Sequence, residues 1–261
     1  MLAQLLRKTL MHPLAEGLDL DSAEATAAHA DIIASKPFLQ NLYRSFYREL
    51  ASASERSPQG MRLEIGAGAG FMEDVLPGVR TLDLRPGGQV DVCASALELP
   101  FASQSLATVF MLDVLHHLPD LRLFFDEMRR TLKPGARLIM IEPYNTLLGK
   151  LIYTHLHHEP FDDTFTEWRL AEGGPMTASN QALPWIVFER DRDQFERDYP
   201  ELEITMVRPH TMALYLLSGG LSMRELVPGG LFDLLHRGEA ALLPALGPHL
   251  ATMCTIELRR R

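Results

Sequence analysis

The chain has 261 residues, 46% of them hydrophobic and 23% charged, with a formal net charge of −9. That composition allows a sizeable globular core. The charge argues against a protein that tracks a phosphate backbone, because such binding needs a basic face. The one basic run is the tail Arg259–Arg261.

There are two cysteines, Cys93 and Cys254. They make neither a disulfide framework nor a zinc pattern. Both lie in apolar stretches and are expected to be buried free thiols in a reducing, cytoplasmic setting. No stretch reaches the length of a membrane span. The N-terminal Leu2, Leu5, Leu6 and Leu10 share one helical face, which reads as a docked helix, with weak peripheral membrane contact as the alternative.

Residues 22–52 are rich in Ala, Leu and Glu and read as helix, divided at Pro37. A polar linker, 52–60, follows. From Met61 the grammar changes. MRLEI (61–65) is a short strand, and GFMEDVLPG begins a helix stopped at Pro77-Gly78. VRTLDL (79–84), QVDVCA (89–94) and LATVFMLD (106–113) are further strands. Residues 120–135 form an amphipathic helix with Leu121, Phe124, Phe125, Met128 and Leu132 on one face, closed by Pro134-Gly135. ARLIMIEP (136–143) is the fifth strand. Apolar strands alternating with amphipathic helices predict a parallel sheet covered on both faces.

The period then fades. Residues 144–187 hold Trp168, Trp185, a Gly173-Gly174-Pro175 turn and a histidine cluster. A long irregular segment in a compact fold is usually functional, and this one reads as an inserted cap. A charged helix (188–200), a strand (201–209), apolar helical material (212–249) broken at Gly219-Gly220, Pro228-Gly229-Gly230 and Pro244, and a closing strand (251–259) complete the chain. The organisation expected is an N-terminal helical segment (1–60), a ligand-binding half (61–143), the cap (144–187) and the C-terminal half of the sheet (188–261).

The informative stretch is RLEIGAGAGFMEDV (62–75). A strand that turns sharply into a helix uses glycine for positive φ and for close approach of a ligand to bare backbone. The dinucleotide fingerprint G-x-G-x-x-G wants a small residue at 71, and Phe71 stands there. The observed form is Glu64, Gly66, Gly68, Gly70. An acid two residues before the first glycine disfavours a pyrophosphate and suits an ammonium group.

LEIGAGAGF resembles the first motif of the class I S-adenosylmethionine-dependent methyltransferases. SALELPF (95–101), FMLDVLHHLPD (110–120) and RTLKPGARLIMIEP (130–143) resemble later segments of that superfamily, in the same order. The resemblance implies a Rossmann-like α/β fold, with a seven-stranded, mostly parallel sheet of order 3-2-1-4-5-7-6 whose last strand is antiparallel. It implies that Glu64 lies near the methionine ammonium and that Gly66, Ala67, Gly68 and Gly70 lie under the amino-acid part of the cofactor. It places Asp83 on both ribose hydroxyls, Leu84 against the adenine, and Ser95, Ala96, Leu112 and Asp113 at the remaining contacts. Ser95 stands where the family usually has an aspartate that meets the adenine amino group.

Methyl transfer to a hydroxyl usually needs a base. Candidates are His117 and Glu142, at the carboxyl ends of the fourth and fifth strands, and His158 in THLHHEPFDD (154–163). His155 and Glu159, four residues apart, can share a helix face. The spacing matches no known metal motif, so no metal is expected. The Asn- or Asp-Pro-Pro-aromatic element of nucleic-acid base methyltransferases is missing after the fourth strand, which with the acidic charge argues against nucleic acid. The expectation is methyl transfer from S-adenosyl-L-methionine to a small or lipid-like acceptor, with O-methylation favoured. Two alternatives stand beside it, a non-catalytic S-adenosylmethionine-binding module and an NAD-dependent oxidoreductase.

Overall fold

Strands β4 (Leu106–Leu112) and the inner part of β5 (Leu132–Pro143) are apolar at nearly every position, and β1 (Met61–Ile65) is buried from Leu63 onward. Such a strand is stable only when both faces are covered. The computed structural model, which describes residues 9–157, 159–171 and 173–261, shows how. With β2 (Arg80–Asp83), β3 (Val92–Cys93), β6 (Leu202–His210) and β7 (Met253–Arg260), they form a seven-stranded sheet of order β3-β2-β1-β4-β5-β7-β6. The first five strands run parallel, and β7 is antiparallel to both β5 and β6. The expected order and the reversed last strand are both observed.

Helices α1 (Ala23–Ser35) and α2 (Pro37–Ser54) meet at Pro37, as the sequence predicts. On one face of the sheet, Phe38, Leu42, Phe46 and Leu50 of α2 pack with Phe110, Ile139 and Ile141. On the other, Phe124, Phe125 and Met128 of α3 (Leu121–Thr131) pack with Val109, Leu138 and the aromatic side chains Phe188 and Phe195. Val109 and Phe110 point to opposite layers because successive strand residues alternate. Asp120 caps α3 by accepting the Arg122 and Leu123 amides.

Several local expectations change. The helix after the glycine run is a single 3₁₀ turn, Met72–Asp74. Met72 and Val79 bury against α2, so a helix from a distant part of the chain covers the face that a crossover helix would occupy. α3 ends at Thr131, and β5 begins at Leu132, running through Pro134-Gly135. The 144–187 segment contains a regular helix, α4 (Leu147–His155), capped by Thr146 Oγ1 accepting the Gly149 amide at 3.0 Å. Because α4 stops at His155, His155 and Glu159 do not share a helix face. The charged region is a short helical turn (Leu183–Trp185), a π turn (Ile186–Arg190) and α5 (Arg192–Asp198).

After α6 (Leu214–Ser218), Gly219 at φ +71 ends the helix, and α7 (Phe232–Leu250) then runs unbroken through Pro244 and Pro248. An interior proline removes one helix hydrogen bond, and packing of α7 against α4 and β6 holds the helix regardless. Cys254 is buried as expected, but Cys93 at the sheet edge is exposed, because β3 has no neighbour on its outer side. The expected N-terminal helix face lies mostly outside the described residues. No helix among the described residues is long and apolar enough to cross a membrane.

The strand order reverses between β1 and β4. In open α/β sheets this switch leaves a crevice at the carboxyl ends of the strands, and a cavity lies there.

Candidate cofactor and acceptor site

The glycine loop is tied to β2 by Gly66 and Ala67 amides donating to the Leu82 carbonyl at 2.8 and 3.1 Å. Gly66 has φ +71 and Gly68 φ +44, a region other residues enter at a cost of ~1–2 kcal/mol. The three glycines do different work. A Cβ at Gly66 would collide with the Val114 side chain, and one at Gly70 with the Tyr47 hydroxyl. Those two make room for protein. Gly68 has only Asp83 Oδ2 (3.7 Å) and the Gly66 carbonyl (3.8 Å) near its missing Cβ, and it faces open space.

Asp83 ends β2. Its Oδ2 accepts the Gly68 amide and its Oδ1 accepts the Arg85 amide, each at 3.0 Å. The two backbone donors fix the carboxylate at the cavity wall and leave each oxygen a further lone pair. Glu64 is 3% exposed, and its Oε2 has no hydrogen-bond partner. Burial pushes its carboxyl up to about 8; the Tyr47 hydroxyl opposes the rise and the Asp83 charge adds to it. A buried, half-satisfied carboxyl beside bare backbone is suited to an ammonium group. Leu84 is half exposed, a free apolar surface next to Asp83. Ser95 Oγ accepts the Leu97 amide at 3.1 Å, so the serine first serves its own turn.

Across the crevice, Asp113 follows β4 at φ +62, and its amide donates to the Ile141 carbonyl at 2.8 Å. Burial raises its carboxyl to about 7; His116 opposes this, and Glu142 and Glu159 reinforce it. His116 is fully buried, with Nδ1 2.9 Å from Glu142 Oε2. Burial disfavours its charge, but the Glu142 and Glu159 carboxylates raise the imidazole well above its ordinary value. His117 lies beside it, with ring centroids 4.2 Å apart and Nε2 3.6 Å from Glu159 Oε1. Glu159 is also buried; His116, His117 and His157 overcome that burial and hold it well below the usual carboxylate range.

These walls enclose one cavity of about 540 Å³. Every residue read from sequence as a cofactor contact lines it, from Glu64 and the glycine loop to Asp113, and so does His117. Glu142 does not. Its Oε1 accepts the Val114 and Leu115 amides at 2.9 and 2.8 Å, and its Oε2 meets His116. With both oxygens occupied and no exposure, Glu142 braces the turn after β4 and cannot act as a base on an acceptor. His158 lies outside the described residues.

The sequence did not single out several wall residues. Tyr43 and Tyr47 come from α2, Tyr153 from α4 and Tyr215 from α6, and Met11, Leu18 and Leu20 come from an N-terminal strap. Helical period marks Tyr43 and Tyr47 as one-sided, but nothing in it says which side meets a ligand. Glu159 stood within a noted cluster, and its neighbours Gln181 and Asn180, which hold that cluster in place, carried no signal.

Residues 63–140 match the family model for a methyltransferase domain. That segment is a methyltransferase domain, and S-adenosylmethionine is the cofactor such a domain uses. Among solved structures, geranyl diphosphate C-methyltransferase from Streptomyces coelicolor A3(2), with Mg²⁺, geranyl-S-thiolodiphosphate and S-adenosyl-L-homocysteine, is 15% identical at a TM-score of 0.49, covering 97% of this chain and 87% of that one. A SAM-dependent methyltransferase from Thermotoga maritima is 18% identical at a TM-score of 0.48, covering 84% and 92%. No curated protein matches the chain.

Proposed function

We propose that the protein transfers a methyl group from S-adenosylmethionine to a hydroxyl of a small, largely apolar or lipid-like acceptor. One observation supports this above others. A single cavity joins the ammonium-suited Glu64, the Gly68 floor and Asp83 to a second wall bearing Asp113, His117 and Glu159. The bound cofactor supplies a sulfonium methyl; the acceptor oxygen's electron pair forms the new bond to carbon as the carbon–sulfur bond breaks, its pair staying on sulfur.

The residues divide that work. Glu64 Oε2 receives the cofactor ammonium, and the free lone pairs of Asp83 receive the ribose hydroxyls. Gly68 gives the bare floor, with Gly66, Ala67 and Gly70 shaping the loop around it; Leu84 and Ala96 flank the adenine, and Ser95 offers it a remaining lone pair. Leu112 backs the turn into Asp113. The Asp113 carboxylate takes the acceptor proton, and a base poised near neutrality is efficient in that role. His117 and Glu159 orient the acceptor oxygen. Leu18, Leu156, Met176, Leu216 and Leu221 give the rest of the wall its apolar character and exclude water.

The test is transfer of labelled methyl into fractionated metabolites and lipids of the source cell. The expected product partitions into organic solvent and carries the label on oxygen. Stabilisation by S-adenosylhomocysteine with no labelled product in any fraction would leave a cofactor-binding module instead. Stabilisation by NADH in its place would overturn the reading altogether.

A further inference from the structure

Four tyrosines line the cavity, and the protein engages the hydroxyls of three. Tyr47 meets the Glu64 carboxyl, Tyr153 donates to the Thr252 carbonyl, and Tyr215 donates to Asp113. Tyr43 is different. It is 7% exposed, and its hydroxyl has no hydrogen-bond partner among the described residues. The oxygen is not sealed in protein but opens into the cavity. A buried hydroxyl left unpaired weakens a fold, and phenylalanine would fill the same space without that cost.

Tyr43 and Tyr47 lie one turn apart on the same face of α2. Tyr47 reaches the ammonium end of the cavity, beside Glu64 and Gly70. Tyr43 reaches toward the other wall, where the charge it feels is that of Asp113. Burial first, and Asp113 second, hold the proton on the Tyr43 oxygen, so the group is a donor at neutral pH. Its ring stacks on Phe71 and meets Tyr47 edge-on, each at 6.4 Å between centroids. Phe71 is the bulky residue that stands where a dinucleotide loop needs a small one. Here it props the tyrosine whose hydroxyl opens into the cavity.

We propose that the Tyr43 hydroxyl donates a hydrogen bond to a second oxygen of the methyl acceptor, beside the hydroxyl that Asp113 deprotonates, and so selects acceptors that carry oxygens on adjacent carbons. The inference rests on the methyl-transfer reading. The partner is not the attacking oxygen, because a donor there would hold the electron pair that must form the bond to carbon. Nor is it the cofactor ammonium, which has no lone pair to receive a proton and belongs with Glu64. An acceptor with a lone hydroxyl leaves this donor unpaired in a closed site, a mismatch by which enzymes reject close analogues.

The test compares the wild type with Tyr43→Phe, which deletes one oxygen and keeps the ring. The substrate is the organic extract of the source cell, with labelled methyl followed into the product. A bond to a non-reacting oxygen is made in ground state and transition state alike, so the apparent KM should rise ~10-fold with kcat unchanged. S-adenosylhomocysteine affinity should not move, and the thermal midpoint should hold or rise, whereas loss of a structural hydroxyl would lower it. Tyr144→Phe removes a hydroxyl that lies 3.3 Å from Glu189 Oε1, outside the cavity lining, and should transfer methyl as the wild type does. Mass spectrometry of the labelled product should find a free oxygen on the carbon next to the methoxy carbon. The inference falls if that oxygen is missing, if KM is unchanged, if kcat alone drops, or if S-adenosylhomocysteine affinity drops instead, which would put the hydroxyl on the cofactor. Any of those four results with a wild type that makes product overturns this inference alone; a wild type that makes no product sinks the methyl-transfer reading and this inference with it.

Discussion

On the wall formed by β1, β2 and the loop after β3, each side chain facing the cavity lies within a few residues of a strand end. Glu64, Gly68, Asp83 and Ser95 follow one another along a simple alternation. On the opposite wall the contributors come from α2, α4, α6, the strap and the loop at 173–178, separated by up to two hundred residues of sequence. The first wall is held by backbone hydrogen bonds, such as Gly68 N to Asp83 Oδ2 and Gly66 N to Leu82 O. The second is held by side chains, such as Glu142 on His116 and Asp21 on Thr177. A wall built from backbone tolerates changes of side chain except where a side chain would enter occupied space. A wall built from side chains can be remodelled residue by residue, which suits the part of a transferase that must recognise its acceptor.

Gly66 gives the largest effect by which to break this contrast. Gly66→Ala must adopt φ +71 and displace the Val114 side chain. Strain of ~1–2 kcal/mol adds to overpacking of ~1–3 kcal/mol, so urea denaturation should show a loss of ~2–5 kcal/mol. Gly78→Ala is the control. Gly78 has φ +81 but nothing within 4 Å of its missing Cβ, so only the strain should appear. Equal losses at both positions would show that Val114 yields freely and that the loop is not packed as described.

Asp83→Ala comes next. It removes the proposed ribose clasp, and S-adenosylhomocysteine affinity measured by calorimetry should fall by ~1–3 kcal/mol, or ~5–150-fold. The same variant also loses two backbone caps, to Gly68 and Arg85. The sharpening comparison is therefore Asp113→Asn on the other wall, which should cost turnover ~10²-fold or more with cofactor affinity nearly unchanged. Both substitutions weakening cofactor affinity alike would merge the two walls into one site.

Much of the first wall was legible because its chemistry is local in the chain. Strand, glycine turn and acidic strand end fall within twenty residues, and period marks where each begins. The sheet order came from the family resemblance rather than from any pattern in these residues. What misled was also local. The apolar residues of GFMEDVLPG fit a helix, but Met72 and Val79 are claimed by α2, a long-range contact that no window reveals. Glu142 ends a strand at the right edge, yet whether it faces the cavity or the turn depends on the amides of Val114 and Leu115. The strap and the four tyrosines were illegible for the same reason: a helix face declares that it is apolar, and only the fold says what it covers.

Glu64 offers a pH-dependent effect of about tenfold per unit. Its folded carboxyl titrates at about 8 instead of 4.5. Between those values the folded chain holds a proton that the unfolded chain has lost. Stability of the free protein should therefore fall as pH rises through this window. Binding an ammonium reverses the preference, because the carboxylate must form. S-adenosylhomocysteine affinity should weaken progressively as pH drops below about 8, and calorimetry in buffers of different ionisation enthalpy should show up to one proton released on binding. Glu64→Gln should abolish the proton release and flatten the stability slope. A wild-type protein that binds without releasing protons at pH 6.5 would place the ammonium elsewhere.

The smallest expected effect tests how the second wall is closed. Asp21, at the end of the strap, accepts the Met176 amide at 2.7 Å and the Thr177 hydroxyl at 2.6 Å. Arg85 Nη1 donates to the Leu20 and Ser22 carbonyls at 2.9 and 2.7 Å, which links the strap to the residue beside Asp83. Further along the strap, the His12 amide donates to Ser222 at 2.9 Å and Arg224 donates to Leu10 at 2.6 Å. The strap is thus latched at both ends, and few of its own residues are buried, so its opening should be local. Asp21→Ala removes two hydrogen bonds at one latch, worth ~1–2 kcal/mol together. Hydrogen exchange at residues 9–22 should rise ~5–30-fold, S-adenosylhomocysteine should dissociate faster by a similar factor, and the denaturation midpoint should barely move. If the midpoint falls as far as in Gly66→Ala, the strap belongs to the core and the cavity opens by another route.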